Sequence, residues 1–224
     1  MWNDAGTIRL GHGPDWTNDT TRAAGGAVPS LLLGVWVNSQ AIINGALAFR
    51  GTYVGTTRSN ASAQLDWIYG ALSAGGTAAF FGVWNAYNRV QVSALVRDST
   101  DTWTYGTVAW RSANAAATMR VSYVDGMNDE SVMANYCAFG TANGTSYPYA
   151  GVGVDTTTAY SGTTGGNLAG VAINMFGRYE GNPGIGFHFL QAIEYATTTT
   201  PVTFIGDAAS PTWISTGLFA TLRM

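Results

Sequence analysis

The sequence predicts an all-β protein: a single β-sandwich or jelly-roll domain over residues 1–224, with about a dozen short, mainly antiparallel strands. Three observations support this prediction. Apolar and polar residues alternate with period two in many short segments. Turns rich in glycine and threonine separate these segments at fairly even spacing. Stretches with helical periodicity are few and short. One such domain is long enough to bury a sizeable core.

The clearest alternation lies in the middle of the chain. Residues Val90–Arg97 place valine and alanine on one face and mainly polar side chains on the other. The next four residues, Asp98–Asp101, have short side chains that bond to nearby backbone and favour a turn. A second strand follows at Trp103–Trp110. We predict that the two strands form a hairpin.

The same pattern predicts strands along the rest of the chain. In order, they are Thr7–Leu10, Leu31–Asn38, Gly51–Thr57, Ser62–Tyr69, Thr77–Ala86, Arg120–Val124, Val132–Phe139, Tyr149–Val154, Val171–Tyr179, Gly186–Tyr195, Val202–Ile205 and Thr216–Leu222. Turns are predicted at 23–27, 74–77, 143–146, 161–167, 181–184 and 197–201. A helical turn or two is predicted only at Ala113–Met119, with a short turn within Val124–Ser131. Because the first strand begins so early, residues 1–15 could form an N-terminal segment that docks on a partner.

Charge is scarce in this sequence. Only 10% of the residues are charged, all ten basic residues are arginine and no lysine occurs. A typical domain is about a quarter charged, and a soluble monomer usually covers its surface with Lys, Glu and Asp. We therefore expect much of the surface to pack against other copies, as in a homotrimer, or against a larger assembly.

Two classes of partner are not expected. The formal net charge is −3 and the arginines are scattered, which gives no basic footprint for nucleic acid. No apolar run approaches about 18 residues, so membrane insertion is not expected either.

Catalytic constellations are hard to assemble from this sequence. Cys137 is the only cysteine, which excludes an intrachain disulfide, and it is interpreted as a small buried hydrophobic residue. The two histidines are His12, in a glycine-rich turn, and His188, in the middle of a strand. We interpret His188 as a partly buried structural histidine, with a functional role as the alternative. We expect no catalytic residues and no enzyme activity.

Metal and cofactor sites are not expected either. Two distant histidines and one cysteine give no zinc-ligand spacing. The tightest acidic groups, Asp98 with Asp101 and Asn128-Asp129-Glu130, match no calcium loop and are interpreted as turn caps. A glycosidase would need two carboxylates in one cleft, for which the conceivable candidates are Asp66, Asp155 and Glu194.

Aromatic residues next to amides and an arginine suggest a contact surface. The alternative for the rings is ordinary core packing. The candidate residues are Trp84, Tyr87, Asn88, Arg89, Trp103, Tyr105 and Trp110.

An ordered set of segments resembles a widespread domain in virion structural proteins of tailed bacteriophages, often described as tail-fibre-like. The segments include Trp16–Arg22, Gly34–Asn38, Arg50–Arg58, Val83–Val90, Asp98–Tyr105, Ala109–Arg111, Val152–Thr158, Gly186–Tyr195 and Phe204–Asp207. The resemblance implies a non-enzymatic, oligomeric protein of the virion surface, made in the bacterial cytoplasm. It supplies no catalytic residues.

Within that resemblance two roles stay open. One is a tail-fibre or spike domain that attaches to the host surface, with a host surface glycan as a candidate partner. The other is a decoration protein that stabilises the capsid. Outside it, a polysaccharide-cleaving enzyme and a free carbohydrate-binding module are the remaining alternatives, although the regular repeat typical of a depolymerase β-helix is missing.

Overall fold

Short β-strands make up the fold. The computed structural model describes residues 1–13, 15–23, 28–70, 77–208 and 214–224. Within them, the one helical element is a 3₁₀ turn at Ala113–Ala115. The all-β prediction is therefore confirmed. The strands are β1 (Trp2–Asp4), β2 (Thr7–Arg9), β3 (Pro29–Leu32), β4 (Val35–Asn38), β5 (Gly55–Thr57), β6 (Trp67–Ile68), β7 (Ala79–Phe81), β8 (Val83–Asn85), β9 (Gln91–Arg97), β10 (Thr102–Tyr105), β11 (Arg111–Ser112), β12 (Arg120–Asp125), β13 (Val132–Thr141), β14 (Pro148–Val154), β15 (Gly165–Gly166), β16 (Ile173–Gly181), β17 (Gly186–Ala196), β18 (Val202–Ile205) and β19 (Gly217–Arg223).

Two of the predicted turns fall mostly outside this description. Residues 24–27 of the turn predicted at 23–27, and residues 74–76 of the turn predicted at 74–77, lie outside the described residues.

The first sheet is organised around β13. β16 pairs with one edge of β13 over nine consecutive residue pairs. The other edge is shared by β18 and β19, which lie end to end: Phe139 opposes Ile205, and Cys137 opposes Gly217. β10 and β9 continue the sheet beyond β18 and β19, respectively.

The predicted hairpin of β9 and β10 is wrong. The two strands run in the same direction along β19 and β18, so they are two halves of one interrupted strand. The Asx turn at Asp98 does form, since Asp98 Oδ1 accepts a hydrogen bond from the Thr100 N–H at 2.8 Å. It bulges the chain outward rather than reversing it. The bulge is tied to the excursion between β18 and β19 by the Asp98 N–H to Thr216 O bond (3.2 Å) and the Gly206 N–H to Asp101 O bond (3.1 Å).

The second sheet is organised around β17. β14 pairs with one edge of β17, and β15 continues the sheet beyond β14. β11 and β12 share the other edge end to end, and the segment between them, where a helical turn or two was predicted, forms the 3₁₀ turn at Ala113–Ala115. The Ala192 N–H reaches across this interruption to Met119 O at 3.0 Å. β7 runs parallel to β12, and β6 pairs with β7.

The two sheets pack face to face around one core. Each contributes alternate side chains, which gives the period-two pattern its physical cause. The sheets approach each other closely at Gly177 of β16 and Gly151 of β14, where a Cβ added to Gly177 would lie 2.4 Å from the Gly151 Cα. Buried residues of the core include Val92, Ala94, Val96, Val121, Tyr123, Tyr136, Ala150, Val152, Leu190, Ala192, Phe204, Leu218 and Ala220.

Hydrogen bonds also connect the sheets at both sides of the sandwich. On one side, Thr163 and Arg178 exchange two backbone hydrogen bonds of 2.8 and 3.0 Å, next to the pairing of β15 with β14. On the other side, the Leu95 N–H of β9 reaches Tyr69 O, just beyond β6, at 3.3 Å. The sandwich therefore approaches a flattened barrel, which leaves fewer free strand edges.

Three two-stranded ribbons surround one end of this sandwich. They are β1–β2, β3–β4 and β5–β8. The strand predicted at Leu31–Asn38 is in fact the β3–β4 hairpin, which reverses at Leu33 (φ 49°) and Gly34 (φ 83°). The prediction of one continuous strand is wrong because the apolar run Leu31–Leu33 hides the turn. The first residue is bound to the segment that pairs with β4, with the Thr52 N–H donating to Met1 O at 2.8 Å.

Candidate functional site

The segment from Trp84 to Arg89 forms a corner between β8 and β9. Trp84 is buried in the core, and the Arg89 guanidinium lies 5.1 Å from its ring centre. Arg89 also forms a forked pair with Asp129 at 2.9 and 3.2 Å. Tyr87 is exposed, but its hydroxyl accepts a hydrogen bond from the Trp36 N–H at 3.1 Å. Asn88 is exposed, and its N–H donates to Asn85 Oδ1 at 3.0 Å. Most residues of this motif therefore make contacts that stabilise the fold.

Trp103 and Tyr105 lie between the sheets. Trp103 of β10 donates its indole N–H to Glu194 Oε2 of β17 at 2.7 Å, which joins one sheet to the other. Arg111 binds the second carboxylate oxygen at 2.7 Å, and its guanidinium lies 3.9 Å from the centre of the Tyr105 ring. Burial raises the pKa of Glu194, although the bonds from Trp103 and Arg111 oppose that rise. These two aromatic residues belong to the core, which is the alternative that the sequence left open.

Trp110 belongs to a half-exposed aromatic group on the outside of the second sheet. Its ring centre lies 5.2 Å from that of Tyr195 and 5.5 Å from that of Tyr160. Gly151 lies beneath, since a Cβ there would approach the Trp110 ring to 3.2 Å. Of the seven predicted contact residues, Tyr87 and Asn88 are exposed, and Arg89 and Trp110 keep part of their surface accessible. They do not converge in one site with the buried rings of Trp84, Trp103 and Tyr105.

His188 is held on both ring nitrogens. Nδ1 lies 2.7 Å from Asp155 Oδ2, and Nε2 lies 3.1 Å from Gly184 O. Because a carboxylate and a carbonyl both accept hydrogen bonds, this geometry stabilises the cationic ring, with both nitrogens protonated. Burial disfavours that charge, but the bond to Asp155 and its charge outweigh burial and raise the pKa of His188. The His188 ring therefore has a structural role, because its hydrogen bond to Asp155 connects β17 to the end of β14.

Two of the candidate carboxylates for glycoside cleavage, Asp155 and Glu194, do not form a pair. Asp155 lies beside Phe189, five residues from Glu194 along β17, which is roughly 16 Å at the usual strand rise. Glycosidase carboxylates stand about 5 to 9.5 Å apart. Asp66 is bound by the Asn60 amide at 2.5 Å.

The acidic groups and the cysteine are also accounted for by local contacts. Asp98 binds Asn114 at 3.0 Å in addition to capping its own turn. Within the residues that the structure describes, no three His, Cys, Asp or Glu side chains come together as a metal site. Cys137 is half-buried on the outer face of the first sheet, where its thiol donates to Asn174 Oδ1 at 3.0 Å. Its predicted place in the core is therefore wrong; burial nevertheless raises the pKa of the thiol.

A cleft of about 890 Å³ lies among the N-terminal ribbons and the end of the sandwich. Arg22 spans it: its guanidinium lies 4.9 Å from the centre of the Trp16 ring and 5.2 Å from that of Tyr53, and it donates to Gly126 O at 2.5 Å. The wall also includes Trp2, Leu10, Ile42, Leu65 and Phe187.

Exposed apolar side chains are concentrated in the same part of the chain. Among the described residues, the first 70 contribute 14 of the 23 exposed large apolar side chains, but only two of the 33 buried core residues, Val37 and Ala46. The densest group lies within residues 28–49, which we name the apolar arm. It comprises Val28, Leu31, Leu32, Leu33, Val35, Ile43, Leu47 and Phe49.

Sequence reasoning missed the apolar arm, although the sequence carries a signal for it. No Asp, Glu, Lys or Arg occurs between Arg22 and Arg50. Within that stretch the three leucines at 31–33 break the period-two alternation. A run of this kind is either a buried strand or a surface that something else covers.

Comparisons with known proteins add no relative. No protein-family model matches the chain, and no curated protein matches it. Among the described residues, no helix is long and apolar enough to cross a membrane.

Proposed function

We propose that this chain is a structural subunit of a bacteriophage particle, exposed on the virion surface, where it serves as a tail-fibre or spike domain in host attachment. One observation carries the structural part of the proposal. Among the described residues, the first 70 contribute 14 of the 23 exposed large apolar side chains and only two of the 33 buried core residues. A surface of that kind suits a subunit that is covered by its neighbours.

The viral context comes from the resemblance of the segments between Trp16 and Asp207 to tail-fibre-like virion proteins. A sandwich whose edges are joined at both sides is compatible with a protein that persists outside the cell without disulfides. The subunit is proposed to be non-enzymatic and to need no cofactor. It is proposed to form a homotrimer, which in turn binds other virion proteins.

A second role, capsid decoration, is favoured by a different observation. The apolar exposure lies mainly on the N-terminal ribbons, around one end of the sandwich. A subunit that sits on an underlying shell would present its apolar residues on one such side.

The deciding experiment uses purified particles of the phage that encodes this chain. Mass spectrometry should find the chain in the particles, and cryo-electron microscopy should place it on the tail for the first role and on the head for the second. Absence from washed, infectious particles would end the proposal.

A second assay addresses host attachment and catalysis. The full-length protein is applied to a glycan array and to host polysaccharide, and the release of reducing sugar is measured. Binding without sugar release is expected of an attachment domain, whereas sugar release would show that the chain is an enzyme.

A further inference from the structure

We propose that the apolar arm, residues 28–49, is the surface through which this chain binds a second copy of itself. The inference deepens the proposed function, on which it rests, by naming the self-association surface. Its first support is the tip of the β3–β4 hairpin. Residues 31–35 are all exposed, and Leu33 is 97% exposed. Consecutive exposed apolar residues are unfavourable in a monomer, and they are normally found where another surface covers them.

The backbone of the hairpin tip supports the same conclusion. Leu33 and Gly34 both have positive φ, 49° and 83°, as a type I′ turn requires. Asn-Gly is the preferred pair in such turns, because asparagine tolerates the left-handed conformation better than leucine does. A leucine here is unfavourable both for the backbone and for the solvent. Contact with a partner would offset both penalties.

A second group of exposed apolar residues lies on the loop that follows β4. Ile43 is 84% exposed, and Leu47 and Phe49 are exposed as well. The loop is held in shape by Asn38, whose amide donates to Leu47 O at 2.9 Å and whose Oδ1 accepts from the Gly51 N–H at 2.7 Å. The exposed side chains are therefore presented by an ordered loop.

Charge and size favour a second copy as the occupant. The arm contains no charged residue, so two arms can meet without repulsion although each chain carries a formal charge of −3. A membrane is a poorer match, because interfacial insertion is usually assisted by lysine and arginine, and the arm contains neither. Of the arm's 22 residues, 12 are exposed and seven are half-buried. This number of accessible residues approaches the roughly 20–30 residues per side of a stable interface.

The test compares the full-length protein with a double variant, Leu33→Asn plus Ile43→Asn. Leu33→Asn restores the preferred Asn-Gly turn, so the hairpin should remain folded, and both side chains are almost fully exposed. The matched control is Leu168→Asn plus Val171→Asn, which removes two similarly exposed apolar side chains, 69% and 66%, outside the arm. Circular dichroism checks that each protein keeps its β-fold.

The readout is the molar mass by analytical ultracentrifugation over a micromolar concentration range. The wild-type and control proteins should be oligomeric, and the arm variant should dissociate with a dissociation constant at least about tenfold higher. If the arm variant stays as oligomeric as the wild type, another surface mediates assembly, and the proposed virion role stands without this arm.

A monomeric wild type would overturn self-association through the arm altogether. Flotation of that monomer with phosphatidylcholine vesicles would then identify a membrane as the occupant. Failure of the virion proposal has a separate signature, which is absence of the chain from purified particles.

Discussion

Trp103 connects the two sheets through a hydrogen bond as well as through packing. Its indole N–H donates to the buried Glu194 carboxylate, and its ring stacks on Phe204 with the ring centres 5.8 Å apart. Trp103→Phe keeps an aromatic ring but leaves Glu194 Oε2 without its donor, so we expect the free energy of unfolding to fall by about 1–3 kcal/mol. Chemical denaturation measures this. Trp67→Phe, at a more exposed ring packed on Phe81, is the control, and an equally large loss there would contradict the role of the bond.

Tyr136 is the opposite case. It is fully buried, and its hydroxyl has no hydrogen-bond partner within the described part of the chain. Removing an unpaired buried hydroxyl relieves a desolvation penalty, so Tyr136→Phe should leave the free energy of unfolding unchanged or raise it by about 1 kcal/mol. Tyr105→Phe is the matched control and should be destabilising, because the Tyr105 hydroxyl donates to Ala109 O at 2.8 Å. Equal losses in both variants would show that Tyr136 has a partner.

Asp125 makes stability depend on pH. The residue is 4% exposed, and burial raises its pKa from 3.8 to about 6, although the Met127 N–H, His188 and Arg89 oppose the rise. The folded chain therefore binds a proton that the unfolded chain has lost between these two values. The contribution of Asp125 to stability is present below pH 3.8 and is lost as pH rises toward 6.

Asp125→Asn removes this dependence and keeps an oxygen that can accept the Met127 N–H bond. We expect the variant to melt at a higher temperature than the wild type at pH 7 and at nearly the same temperature at pH 4. At pH 7 its free energy of unfolding should be higher by roughly 1–3 kcal/mol. Thermal unfolding across this pH range measures it. A difference that is constant with pH would mean that the carboxyl titrates normally.

At the scale of elements, period-two alternation located most strands of the sandwich, and local chemistry located turns such as those at Asp98 and at residues 143–146. Neither pattern could show which strands pair with each other. Asp98 does cap a turn, but the neighbours of β9 and β10 are β19 and β18, far along the chain, and their registers decide that the strand continues. The candidate site shows the same limit. Alternation placed Trp103 on a strand face, but only the packing of one sheet on the other shows that this face meets Glu194 of β17.

The spacing of the sheets is set by glycines at the contact of β14 and β16. A methyl group on Gly177 would lie 2.4 Å from the Gly151 Cα, and because the obstacle is backbone, the strands themselves must move. We expect Gly177→Ala to lower the free energy of unfolding by roughly 2–4 kcal/mol. Gly170→Ala is the control, since a Cβ there has no neighbour within 4 Å among the residues that the structure describes. Comparable stability of the two variants in denaturant titrations would show that the sheets separate at little cost.

At the scale of the whole molecule, the chain combines a well-packed sandwich with N-terminal ribbons that have little core of their own. Hydrogen bonds such as the Tyr53 N–H to Trp36 O bond of 2.8 Å hold the ribbons together, but few buried apolar contacts support them. Segments of this kind open locally at lower free energy than the core does. If a second copy covers the apolar arm, the ribbons gain protection in the oligomer that a monomer lacks.

Hydrogen exchange tests this division of stability in the intact protein. Amides of β4 and of residues 51–53 should exchange at least about tenfold faster in the Leu33→Asn plus Ile43→Asn variant than in the wild type, because dissociation uncovers the arm. Amides of β13 and β17 lie inside the sandwich and should exchange at the same rate in both proteins. Equal rates in the ribbons would show that they are stable without a partner. Faster exchange in β13 and β17 as well would show that the ribbons and the sandwich unfold as a single cooperative unit, so that covering the arm stabilises the whole molecule.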